Sequence, residues 1–209
     1  MAQYRLIVLD LDGTLLSPAG EVTPRTKAAI RRALDAGLLV CFATGRNWTE
    51  SRDVLDALEH YPTAVFVGGA VVMDTHQRST LHRTLVEPTL AGQICEFLER
   101  EGQTALALQD RGAEGVDYLV SGQAPLNDAT QAWMAITQAK LHRVPSLATY
   151  PHEHTIRLGI CADPDEVQPI KQGLEERFGS RIFCQALMVP TYGVEVLEIF
   201  DPAVNKWEG

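Results

Sequence analysis

The chain has 209 residues, enough for one large domain or two small ones with a sizeable core. Its 27 acidic residues outnumber 18 basic ones, and a formal net charge of −9 argues against nucleic acid or an anionic membrane surface as partner. Hydrophobic content of 45% suits a soluble globular protein, and no apolar run approaches the roughly 20 residues that span a bilayer.

In chain order, Tyr4 to Leu9 reads as a buried strand, apolar and β-branched in its middle. Asp10 and Asp12 follow with Leu11 between them, and Gly13 then lets the chain turn sharply. Extended geometry sends the two carboxylates one way and Leu11 into the core. Ligands of an open parallel sheet bind beyond the carboxyl ends of its strands, so chemistry is expected at this point. Paired carboxylates repel unless a cation or a proton is shared between them, and Mg²⁺ takes oxygen donors of this kind. The plain alternative for Asp-x-Asp-Gly is a strand running into a turn.

A first helix is predicted from its signals: Thr23 as N-cap, Pro24 at the first helical position and Gly37 past the end. Ala28, Ala29, Ile30, Ala33 and Leu34 make its apolar face. Leu38 to Ala43 is the second strand and ends in Thr44-Gly45-Arg46. A helix from about Thr49 to His60, a strand from Ala64 to Val67, Gly68-Gly69 and a strand from Val71 to Asp74 come next. This alternation predicts a parallel, doubly wound sheet.

From about Ser79 the rhythm changes. Helices over Pro88 to Glu101, Asp128 to Leu141 and Asp163 to Phe178 mix with strands over Thr104 to Leu108, Val116 to Ser121, His154 to Cys161 and Arg181 to Val189. That pattern reads as an α+β domain inserted into the first. Val194 to Phe200 reads as a strand of the first domain resumed, leading to Lys206. The fold class is therefore α/β: a Rossmann-like, doubly wound parallel core over 1–79 and 191–209, with an α+β cap over 80–190.

Cys41, Cys95, Cys161 and Cys184 are scattered through apolar segments with no Cys-x-x-Cys pair, as small core hydrophobes in a reducing compartment. The N-terminus runs directly into a strand, so no signal peptide is expected and the location reads as cytoplasmic. His152 and His154, flanking Glu153, read as exposed polar loop residues, and Trp48 and Trp133 as packing.

A carboxylate nucleophile, a second carboxylate, a hydroxyl with backbone amides and a cation make a parts list for phosphoryl transfer. Asp10-Leu11-Asp12-Gly13-Thr14-Leu15, Thr44-Gly45-Arg46 and Lys206, in that order, resemble the first three motifs of the haloacid dehalogenase superfamily. The placement of the insertion resembles its Cof-type phosphatases with a type-2B cap. That resemblance implies Mg²⁺-dependent hydrolysis of a small phosphorylated metabolite through an aspartyl-phosphate. It makes Asp10 the nucleophile and a metal ligand, and Asp12 the acid/base whose carbonyl also reaches the metal. Gly13, Thr44, Gly45, Arg46 and Lys206 would hold substrate. Gly68 stands where the family usually carries Asn, which removes one side chain from the site.

The acidic fourth motif that follows the lysine in this family has no counterpart, since three residues remain after Lys206. The sequence therefore reads as an incomplete version of a longer phosphatase. It would be nearly inactive alone and prone to dimerise or aggregate through an uncovered edge at Tyr4–Leu9. Two rivals stand beside hydrolysis: a sugar phosphomutase using the same motifs, and a catalytically impaired fragment or binding protein.

Overall fold

In the computed structural model, the described residues are 4–110, 117–137, 139–189 and 194–207. The chain divides into two compact units, Met1–His82 with Asn205–Gly209, and Arg83–Val204.

The first unit is a five-stranded sheet of β1 (Leu6–Leu9), β2 (Leu39–Ala43), β3 (Thr63–Phe66), β4 (Val71–Asp74) and β5 (Ser79–Arg83), in that spatial order. β1, β2 and β3 run parallel, Leu6 opposite Leu39 and Phe42 opposite Ala64, and β4 turns back antiparallel on β3. Parallel neighbours need long crossovers, and two helices supply them. α1 (Pro24–Asp35) starts on the Thr23 hydroxyl, which accepts from the Thr26 amide, with Pro24 in its first turn. α2 (Trp48–Leu58) starts on a reciprocal capping box between Asn47 and Glu50.

Val54, Leu55 and Leu58 of α2 are buried, and the Trp48 ring stands edge-on to Phe66. His60 meets Phe42 edge-on while its Nε2 hydrogen-bonds the Val40 carbonyl at 2.8 Å. Burial of each such aliphatic side chain contributes on the order of 1.5–3 kcal/mol. α1 buries only Ile30 fully, so the apolar face read from Ala28 and Ala29 is not covered. The parallel strands follow one another to one side of β1, which occupies the sheet edge with β2 as its bonded neighbour. On that edge Tyr4, Leu6 and Val8 are 73%, 50% and 53% exposed, with Ile7 and Leu9 half-buried, so β1 is not the buried strand its apolar run suggests; Leu39, opposite Leu6 on β2, is 64% exposed.

The second unit is a six-stranded sheet ordered β10-β11-β9-β6-β7-β8. Its strands are β6 (Leu106–Gln109), β7 (Tyr118–Ser121), β8 (Leu141–Val144), β9 (Thr155–Ala162), β10 (Phe183–Val189) and β11 (Val194–Phe200). Its helices are α3 (Pro88–Arg100), α4 (Asp128–Thr137) and α5 (Pro164–Phe178). Leu158, Ile160 and Ala162 of β9 and Leu197 and Ile199 of β11 share one core with Ile94 and Leu98 of α3 and Val167 and Leu174 of α5. Alternation puts Arg157 on the opposite face of β9, where its guanidinium pairs with Glu198 of β11. Arg157 also donates to the Tyr118 hydroxyl at 2.6 Å, and Gln185 donates to Glu198 at 2.7 Å. Trp133 packs edge-on against Tyr118.

Three readings of the sequence are corrected here. β11 does not return to the first sheet: it lies between β10 and β9, antiparallel to both, and the chain re-enters the first unit only at Asn205. Val194–Phe200 carries apolar residues on both faces, with Glu195 on one and Glu198 on the other, which suits a central strand of either sheet, and its seven residue pairs with β10 decide its place. Leu141 begins β8 instead of ending a helix, because α4 stops at Thr137. His152 is wholly buried rather than exposed, its ring bonded to the Thr155 hydroxyl at 2.9 Å and the Leu147 carbonyl at 2.8 Å. Val116 and the cap boundary at 190–191 lie outside the described residues. Among the described residues no helix is long and apolar enough to cross a membrane.

Candidate functional site

β1 ends at Leu9 and the backbone tightens into a turn over Leu11–Leu15, closed by the Leu16 amide donating to the Leu11 carbonyl at 2.9 Å. Two residues set its shape. Leu11 is fully buried and anchors the turn in the core, while Gly13 adopts φ 68, a left-handed value that costs glycine little. The carboxylates on either side of Leu11 are left half-exposed. Asp10 Oδ1 accepts from the Leu11 amide at 2.9 Å and from Lys206 Nζ at 3.0 Å. Among the described residues its Oδ2 has no hydrogen-bond partner. Asp12 is held by a two-pronged fork: Arg46 Nε donates to its Oδ2 at 2.9 Å and Arg46 Nη2 to its Oδ1 at 2.6 Å. A planar guanidinium matches a carboxylate in this way, and the geometry is worth more than a single point contact.

The second strand brings Thr44, Gly45 and Arg46 to the same end of the sheet, since β1 and β2 are parallel and in register. Thr44 is fully buried; its amide donates to the Val65 carbonyl at 2.9 Å and its hydroxyl accepts from the Arg46 amide at 3.1 Å. Gly45 is exposed, with open space where a Cβ would stand. Arg46 sends its third prong, Nη1, to the Glu50 carbonyl at 3.2 Å, which ties it to the first turn of α2. The hydrogen bonds to Asp12 push the Arg46 guanidinium still further above its ordinary value, against the opposing effect of partial burial. The resemblance places Arg46 on substrate; in the fold its fork is on Asp12.

Lys206 arrives from the far end of the chain, and its neighbour Asn205 lies directly on Gly69. A Cβ at Gly69 would stand 2.1 Å from the Asn205 carbonyl oxygen, and Gly69 itself has φ 113. The sequence showed a Gly-Gly pair after a strand but nothing of what would lean on it. That contact pairs residues far apart in sequence, and only the fold reveals it. In the first unit, then, Asp10 pairs with Lys206 and Asp12 with Arg46 just past the end of β1, and Thr44 and Gly45 follow the end of the neighbouring β2.

The arrangement offers two hard carboxylates, each countered by a cation. Among the described residues no group of three or more His, Cys, Asp or Glu side chains comes together. A divalent cation of the Mg²⁺ type commonly takes one or two carboxylates and completes its shell with waters and substrate phosphates. Asp10 and Asp12 fit the donor chemistry of such an ion at its minimum. Cys41, Cys95, Cys161 and Cys184 are free, and burial raises all four thiols, Cys161 to about 11 and Cys184 to about 12.

Comparison with known proteins shows the family and the fold. The sequence model of the haloacid dehalogenase-like hydrolase family matches residues 7–209. The chain is 25% identical over 204 residues to the HMP-PP phosphatase of Enterobacter sp. (strain 638), covering 97% of this chain and 69% of that protein. It is 34% identical over 94 residues to the 5-amino-6-(5-phospho-D-ribitylamino)uracil phosphatase YwtE of Bacillus subtilis (strain 168), covering 45% of this chain and only 32% of that protein. A haloacid dehalogenase-like hydrolase from Bacteroides thetaiotaomicron has the same α/β fold, with a TM-score of 0.78 at 18% identity, covering 98% of this chain and 73% of that one.

Proposed function

We propose that this chain, which belongs to the haloacid dehalogenase-like hydrolases, hydrolyses a small phosphomonoester through a phosphorylated Asp10. The observation that carries the proposal is that the turn after β1 bears two carboxylates, each paired with a cation from elsewhere in the chain: Asp10 with Lys206 and Asp12 with Arg46. Asp10 Oδ2, without a hydrogen-bond partner among the described residues, attacks phosphorus as the bond to the leaving ester oxygen breaks. Asp12 gives its proton to that oxygen, and the alcohol departs. Asp12 then takes a proton from water as the water oxygen attacks the phosphorus, which releases phosphate and restores Asp10. In either role Asp12 has to free an oxygen from the Arg46 fork, which holds both. Lys206, the Thr44 hydroxyl and the amides at Gly13 and Gly45 stabilise the phosphoryl oxygens. Arg46 contacts substrate only by surrendering part of its fork.

Mg²⁺ held on Asp10 and Asp12 would supply neutralising charge to the phosphate. The names of two relatives, both phosphatases of phosphorylated small molecules, support a substrate of that class. The test is phosphate release from p-nitrophenyl phosphate with and without Mg²⁺. Turnover should be lost in Asp10→Asn, whose amide is a poor nucleophile. Ordinary turnover by Asp10→Asn would refute the assignment, and no turnover by the unaltered chain would refute the hydrolase chemistry for these 209 residues.

A further inference from the structure

The segment joining β3 to β4 holds three successive residues in left-handed backbone: Val67 at φ 53, Gly68 at φ 66 and Gly69 at φ 113. For Val67, β-branched and 1% exposed, this is a rare conformation that persists only where the surroundings impose it. Those surroundings are the candidate site. The Val67 amide donates to the Arg46 carbonyl at 3.0 Å, and the Gly68 amide donates to the Thr44 carbonyl at 3.0 Å. On its other side Gly69 is pressed by the chain that carries Lys206. A Cβ there would lie 2.1 Å from the Asn205 carbonyl oxygen, 2.4 Å from its carbonyl carbon and 3.0 Å from the Lys206 nitrogen.

We infer that Val67–Gly69 is a positioning element for the site, and that Gly69 is the seat that fixes where Lys206 meets Asp10. The turn grips the Thr44–Arg46 loop through two carbonyl oxygens and receives the Asn205–Lys206 backbone where only a hydrogen fits. It therefore holds in register two pieces of chain that nothing in the sequence joins. The inference rests on the phosphoryl-transfer reading for what Lys206 does, but not for where it sits. An alanine at 69 needs Asn205 to retreat by roughly 1 Å, enough to break a 3.0 Å contact between Lys206 and Asp10, and misplacement on that scale costs about 100-fold in rate.

The experiment compares Gly69→Ala, Lys206→Ala and the double variant. One readout is kcat/KM on p-nitrophenyl phosphate with Mg²⁺. The other is the rate at which the Lys206 amine is acylated by acetic anhydride, followed by peptide mass spectrometry. Gly69→Ala should lower kcat/KM about 100-fold, yet change it by no more than about twofold when Lys206 is already alanine. Lys206, freed from Asp10, should be acylated several-fold faster. Penalties that multiply in the double variant, or unchanged acylation in folded Gly69→Ala, overturn the seat. Should Gly69→Ala fail to fold, one glycine inserted between Val204 and Asn205 shifts Lys206 with the turn intact: faster acylation supports the seat, and an unchanged rate overturns it. A chain without turnover refutes the hydrolase chemistry and leaves the seat to be decided by acylation alone.

Discussion

Glu198→Gln removes one charge from an ion pair that water scarcely reaches. The side chains of Arg157 and Glu198 are 5% and 7% exposed, so the pair belongs with buried rather than surface ion pairs, whose median worth is about 0–1 kcal/mol. Breaking a buried pair from one side costs about 3–5 kcal/mol, because the remaining charge stays desolvated. The low end applies here: glutamine keeps an acceptor oxygen toward Arg157, and Arg157 keeps its bond to the Tyr118 hydroxyl. Its amide, however, opposes the donor amide of Gln185, which must turn over. A loss of about 3 kcal/mol corresponds to a Tm lower by about 6–12 °C for a chain of this size. Removing both charges tests the cause: Arg157→Met with Glu198→Leu should lie within about 1 kcal/mol of the unaltered chain. Thermal and urea unfolding followed by tryptophan fluorescence reads both, with Trp133 packed beside Tyr118 as a local reporter. A Glu198→Gln chain within about 1 kcal/mol of the parent, or a double variant as damaged as the single one, would refute the reasoning.

Asp12→Asn should lower kcat by about 10²–10⁴ on alkyl phosphates, and by less on p-nitrophenyl phosphate, whose leaving group needs no proton; equal losses on both would remove Asp12 from the acid role. Burial holds His152 below the ordinary histidine value of about 6.5, so the unfolded chain binds the extra proton first. The stability this contributes is full above about pH 6.5 and is lost as pH falls through the lower folded value. Urea midpoints across pH 5–8 should show that slope, flattened in His152→Gln. Leu55→Ala, at a fully buried position of α2, should cost about 2–5 kcal/mol by urea unfolding. Light scattering should show association rising with concentration, reduced by Val8→Lys on the exposed edge strand; an unchanged profile would place association elsewhere.

The ends of β1 and β2 were legible because each is an apolar run stopped by polar residues, and parallel pairing carries both stops to one edge. Lys206 was legible only through motif order, since a lone lysine after a strand has no local signature. β11 was misassigned for a related reason. Its mainly apolar run describes a strand but not its partner, and its pairing with β10 on one side and β9 on the other decides its sheet. Arg46 had an unmistakable side chain and an unreadable partner, because Asp12 lies on another element. Gly69 was hidden most completely: a glycine's reason for being there is the backbone that crosses it. The buried His152 was misjudged because a polar triplet in a turn-rich stretch has the composition of a surface loop.

The position of β1 at the sheet edge has a dynamic consequence. Its backbone is laddered to β2 along one side only, so its outward amides should exchange with solvent hydrogen well ahead of those on β3. Asp10 rides on that strand, and so does the turn that presents Asp12 to Arg46. Fraying of β1 would therefore displace both carboxylates together, while Thr44 and Arg46 stayed with the interior of the sheet. Exchange protection over Leu6–Leu9 becomes a direct gauge of how much of the time the site is assembled, and a ligand that bridges Asp10 and Thr44 should slow it by stitching an edge strand to its neighbour.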